Sequence, residues 1–269
     1  MLIREEKLTH WVENYYGYGS WEAKLWFVAH EEGSGDLPQE VADKFKYFFE
    51  KHAPGTPLSL CDMREMYKQV SFSVTGPRAG MFTNLHEYRF GKHAVLHGWW
   101  KNIIAFAHGY RNQSPPDLLL YQQKELALPS KKREAMIRLF PLPAHNHAWY
   151  YSWLDMPKLT YLRTRAEYQE HVYEKRIKTI LEKMIVHKPE VVVMYGMENI
   201  NRLKKSVQEV FPNARFKIAK AIARQIPQHH RADLDNTTLI LTTQIPALRH
   251  NRVETGFDWG EFGRSILGT

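Results

Sequence analysis

Residues 188–205 read KPEVVVMYGMENINRLKK, and this stretch decides the fold. A proline ends whatever precedes it, and after Glu190 come five apolar residues rich in valine. Gly196 then turns the chain into ENINRLKKSVQEV, whose apolar residues recur at helical spacing up to Pro212. A short buried strand running through a glycine into an amphipathic helix is the repeating unit of an α/β protein. Upstream, Thr164 and Glu167 form a capping-box pattern. Behind it Tyr168, Val172, Ile177, Leu181, Met184 and Ile185 predict a long helix that ends before Pro189.

Three more apolar runs predict strands, at 25–29, 136–140 and 238–243, and RFKIAKA from Arg215 reads as an added edge strand. A last helix is expected near DWGEFGRSIL, with Glu261 three residues after Asp258. The alternation predicts a parallel sheet covered by helices. The segment 54–130 is rich in turn residues and aromatics, and reads as a helical and loop insertion within one domain spanning 1–269.

Composition narrows the function classes. The 269 residues suffice for a sizeable core, and no apolar run is long enough to span a membrane. The N-terminal MLIREEKLTHWVENYYG alternates charge with aromatics, unlike a signal peptide. The single cysteine, Cys61, rules out an internal disulfide and a multi-cysteine metal site. A cytoplasmic, nucleoid-associated location is expected. The net charge of +8, before any of 14 histidines is counted, favours a polyanionic partner such as DNA. Eight tryptophans add surfaces on which bases could stack. No phosphate-cradling glycine loop and no serine nucleophile elbow is present, so no nucleotide cofactor is expected.

Chemistry concentrates after the first strand, in KLWFVAHEEGSG at 24–35, where Glu31 and Glu32 precede a glycine loop. In open α/β sheets ligands bind beyond the carboxyl ends of the strands. FVAHEEG, IRLFPLP, KPEVVVMYGMENINRLKK and LTTQIPALRHNR, in this order, resemble four segments of the uracil-DNA glycosylase superfamily. Ala29 replaces the first glycine of the first motif and Glu32 its proline; Arg138 falls where many members carry asparagine, and Gln244 where they carry histidine. The segment 54–130 has no counterpart. The resemblance implies a three-layer α/β/α fold with a central, mostly parallel four-stranded sheet, and a DNA glycosylase needing no metal or cofactor. Some members excise bulky modified bases, including glucosylated hydroxymethylcytosine of phage DNA, so damage repair and antiphage defence are both in view.

On this resemblance Glu31 matches the catalytic carboxylate, stabilising positive charge on the sugar as the N-glycosidic bond stretches. Gln244 would donate to the departing base, with His30 or His250 as substitutes. His30, Glu32, Asn84 and Arg138 are candidate base contacts; Arg138 could equally pair with a pocket carboxylate. Leu248 is a candidate wedge into the duplex, and Arg249, His250, Asn251 and Arg252 candidate DNA contacts. Phe72, Phe82, Tyr88 and Phe90 are candidate stacking residues. Two other readings stand beside this one. The first is a binding protein on the same fold without catalysis. The second is an unrelated hydrolase or nuclease holding a metal with His145, His147 and Asp155.

Overall fold

The computed structural model describes residues 3–32, 38–144, 149–222, 225–247 and 257–267. The protein is an α/β structure whose described residues build a seven-stranded mixed sheet. The four predicted strands are present and mutually parallel: β2 (Leu25–Glu31), β3 (Glu134–Phe140), β4 (Val191–Tyr195) and β7 (Thr237–Leu241). The expectation of a four-stranded sheet is corrected by three antiparallel additions. These are β1 (Gly17–Tyr18) beside β3, β6 (His229–Leu234) beside β7, and β5 (Lys217–Ala219) at the far edge. The order across the sheet is β1-β3-β2-β4-β7-β6-β5.

The parallel strands are apolar because both faces are covered; every residue of β3 and β4 is buried. Among the described residues nine α-helices surround the sheet. Between β2 and β3 lie α2 (Pro38–Lys51), α3 (Met63–Lys68), α4 (Leu85–Phe90), α5 (Gly98–Tyr110) and α6 (Leu118–Lys124), the last four of them within 54–130. After β3 come α7 (Arg165–His187) and, after β4, α8 (Ile200–Val210). The flanks are α1 (Glu5–Asn14) and α9 (Trp259–Leu267). No helix among the described residues is long and apolar enough to cross a membrane.

The predicted caps form. Thr164 Oγ1 accepts from the Glu167 amide at 3.1 Å, and the left-handed Lys188 closes α7 before Pro189. Asn199 caps α8, and Asp258 accepts from the Gly260 and Glu261 amides at the start of α9. Helix α9 lies against α5 at glycine distance. A Cβ at Gly263 would stand 2.1 Å from the Phe106 carbonyl oxygen, so only a bare Cα lets the two backbones approach. Phe106 in turn meets Phe262 edge-on at 5.2 Å and Phe27 of β2 at 5.6 Å, which joins this helix pair to the sheet.

Arg176 of α7, 1 % exposed, fastens the end of β3. Its Nε donates to the Leu139 carbonyl at 2.7 Å, and its terminal nitrogens to Arg138 at 2.8 Å and to Val12 of α1 at 3.2 Å. The guanidinium also lies over the Tyr16 ring at 3.8 Å. A buried charge is tolerated only with its donors satisfied, and here three carbonyls and a ring do that. The same contacts fix where β3 hands the chain to the site.

Candidate active site

Strand β2 lies between β3 and β4, so the chain leaves β2 to one side and returns to β4 on the other. The gap between the carboxyl ends of β2 and β4 is therefore the topological switch point of the sheet. Ala29 pairs with Arg138 on one side and Tyr195 on the other, and Glu31 with Phe140. The next residues, His30 to Glu32 and Gly196 onward, stand at that edge.

Gly196 draws three motifs together. It has φ +69°, and a Cβ there would meet Ile245 Cγ2 at 2.8 Å and His30 Cβ at 4.0 Å. Its amide donates to the Gln244 carbonyl at 2.9 Å, and the Met197 amide to Thr242 at 3.1 Å. The loop after β7 is thus sewn to the loop after β4, beside the end of β2. Asn102 of α5, fully buried, donates to the carbonyls of Pro246 at 3.2 Å and Ala247 at 3.0 Å and holds the same loop from the other side.

The adjacent glutamates take different partners. Glu31 receives the Nε of Arg165 on Oε1 at 2.8 Å, a second guanidinium nitrogen on Oε2, and the Gln169 amide at 2.7 Å. Arg165 and Gln169 are one turn apart at the start of α7, so this helix presents a donor pair to the carboxylate. Glu32, 3 % exposed, accepts from Arg138 Nε at 2.9 Å and from the Tyr15 hydroxyl at 3.4 Å. Of the two roles expected for Arg138, pairing with a carboxylate is the one the structure shows. Burial is the largest influence on the Arg138 pKa and pushes it down, but Glu32, with Tyr195, Tyr15 and Tyr18 adding to it, leaves the group raised. Burial first, and Glu32 second, push the Tyr15 phenol well above its ordinary value, so it remains a donor.

His30 stands edge-on to Phe140 at 4.8 Å and lines a cavity of about 230 Å³. Gln169, Tyr173, Met197, Asn199 and Arg202 complete much of its wall. Burial lowers the His30 pKa; Glu198 opposes this and Arg165 adds to it. The ring is therefore neutral near pH 7 and can donate through one nitrogen while accepting through the other. The cavity is smaller than the roughly 300–1,000 Å³ of pockets for drug-sized ligands, and suits a single ring system.

Other expected residues lie elsewhere. Asn84 caps α4, with Oδ1 accepting from the Glu87 amide at 2.9 Å. Phe72 stacks on Tyr88 at 4.5 Å, Phe82 meets Tyr88 edge-on at 5.1 Å, and Phe90 stacks on Trp100 at 5.8 Å, so these aromatics pack among themselves. Leu248, Arg249, His250, Asn251 and Arg252 lie outside the described residues, as do His145 and His147. Asp155 is exposed, and no cluster of three metal-ligating side chains occurs among the described residues.

Sequence reasoning missed Arg165, Gln169 and Asn102. The first two carried a signal, since an arginine and a glutamine four apart follow directly on the Thr164 cap. Asn102 carried a fainter one, as the lone amide in the apolar run WWKNIIAFA. No protein-family model matches this chain, and no curated protein matches it.

Proposed function

We propose that this protein is a monofunctional DNA glycosylase on a three-layer α/β/α fold like that of the uracil-DNA glycosylase superfamily. The observation that carries the reading is the convergence at Gly196. His30 from β2 and the Gln244–Ile245 loop after β7 meet there, beside the Glu31 carboxylate and a ring-sized cavity.

In this reading a nucleotide leaves the duplex and its base enters the crevice. As the N-glycosidic bond stretches, the sugar gains positive charge and the base negative charge. Glu31, held in one orientation by Arg165 and Gln169, supplies negative charge to the sugar and orients water toward its anomeric carbon. The Gln244 amide, or neutral His30, donates a hydrogen bond to the leaving base. The products are a free base and an abasic site. The buried ion pair of Glu32 and Arg138 ties the residue after β2 to β3. Candidate substrates run from deaminated bases, which a cavity of about 230 Å³ accommodates, to bulky cytosine modifications such as glucosylated hydroxymethylcytosine, whose sugar would lie outside it. The formal charge of +8 suits a DNA partner.

One observation favours a second reading. Both crevice carboxylates are paired with arginine, which suits a DNA-binding protein on the same fold that has lost catalysis. The experiment that separates the two is alkali-labile strand cleavage after incubation with uracil DNA, hypoxanthine DNA and glucosylated phage DNA, with chelator present. Abasic sites in any of them support a glycosylase. Salt-sensitive binding without abasic sites supports the binding protein.

A further inference from the structure

Seven of the eight tryptophans are buried or half-buried, whereas Trp153 is 86 % exposed. An indole left in water forfeits the burial that makes tryptophan valuable to a fold. The turn that carries it is not loose. Tyr150–Trp153 forms a 3₁₀ turn; Trp149 just ahead of it donates from Nε1 to the Leu162 carbonyl at 2.8 Å, and the Tyr151 hydroxyl donates to the Pro143 carbonyl at 2.8 Å. The Tyr150 and Tyr151 rings stack at 4.4 Å, and the Leu154 amide closes on Tyr151 at 3.2 Å. A scaffold of inward aromatics therefore holds a single indole outward, so little entropy is lost when that indole meets a ligand.

The turn belongs to the edge of the sheet that bears the crevice. It follows the carboxyl end of β3, and Trp149 packs on Tyr168 of α7 at 5.2 Å, one turn beyond the Arg165 that binds Glu31. Lys158 and Arg163, both exposed, follow in the same connection. Lys158 shares its surface pocket with Glu5, Glu6 and Glu13, so the indole face itself, on a chain of net charge +8, is the feature suited to an unpaired nucleobase. A membrane surface would ask for several apolar neighbours, but Ser152 and Asp155 beside the indole are exposed and polar.

We propose that Trp153 is a stacking platform for a base of the bound DNA strand, outside the crevice that receives the extruded nucleotide. This rests on the reading of DNA as the partner, and adds a contact that the four motifs do not contain. The test is fluorescence anisotropy of fluorescein-labelled oligonucleotides, single-stranded and duplex, with full-length wild type, Trp153→Ala and Trp153→Phe. Loss of one stacked base is expected to weaken binding by Trp153→Ala roughly 5- to 150-fold. Trp153→Phe should recover most of that, and the melting temperatures of all three should agree. Wild-type binding that Trp153→Ala leaves unchanged overturns this inference and leaves the glycosylase reading standing. No salt-sensitive binding by wild type overturns both.

Discussion

Arg165 grips Glu31 with two guanidinium nitrogens, joining the first residue of α7 to the last residue of β2 across 134 positions of sequence. The pair sits beside the switch point of the sheet, so the helix that covers β3 also sets the direction of the candidate catalytic carboxylate. A planar fork can do this; a lysine ammonium, being a point charge, cannot fix both oxygens.

Replacing Arg165 should therefore act on rate more than on stability. Arg165→Ala is expected to lower kcat for base release at least about tenfold, with a smaller change in KM. Arg165→Lys should fall between, because charge is kept and orientation is lost. Single-turnover kinetics with saturating enzyme checks this. An Arg165→Lys rate equal to wild type would show that orientation does not matter.

The Glu32–Arg138 pair predicts the opposite pattern. Both side chains are almost wholly buried, and removing one strands the other's charge. Arg138→Ala should cost about 3–5 kcal/mol of stability, and Glu32→Ala a similar amount. The double replacement should cost much less than the sum of the two. Urea denaturation of the four proteins closes the cycle, and additive losses would mean the pair is not coupled.

Gly263→Ala adds one methyl group where the Phe106 carbonyl leaves no room. The expected loss is about 1–3 kcal/mol, since α9 must move off α5. A urea midpoint equal to wild type would show that the two helices are not held this closely in solution.

His97 predicts an acid-side dependence. Its Nδ1 accepts from the Trp99 amide at 3.2 Å at the start of α5, and its ring stacks on Trp100 at 4.6 Å. Burial first, then the charges of Arg89 and Arg138, push its pKa down to about 3. The unfolded chain binds the proton near pH 6.5 and the folded protein does not. Stability is therefore complete above that pH and falls as pH drops toward 3, by up to about 1.4 kcal/mol per pH unit. His97→Asn keeps a capping acceptor without the titration. Its unfolding free energy should fall less steeply than wild type between pH 6 and 4, and parallel curves would count against His97.

Much of the fold could be read in the sequence because burial on both faces leaves a compositional trace. VVVMY and the run after Lys24 are apolar throughout, and Thr164 with Glu167 marks the start of α7. Of the additional strands, β5 was legible in RFKIAKA, whereas β1 and β6 left no such trace. β1 is two residues long, and β6 reads HHRADL, a polar strand recognised only by its pairing with β7. Of the candidate site, the carboxylates and the Gln244 loop were legible as motifs at strand ends. Which glutamate each arginine takes was not, because the partners lie more than a hundred residues apart. Asn84 misled for a local reason: an asparagine ahead of a short helix is also a cap, and that is the use the fold makes of it.

On the proposed function, base release depends on Glu31. The most direct test is the single-turnover rate of abasic-site formation by wild type and Glu31→Gln, on whichever DNA of the substrate panel wild type cleaves, with binding measured alongside. The expected result is a loss of roughly a hundredfold or more in rate, with DNA affinity within a few-fold of wild type. Equal rates would contradict it and move the chemistry to another group in the crevice.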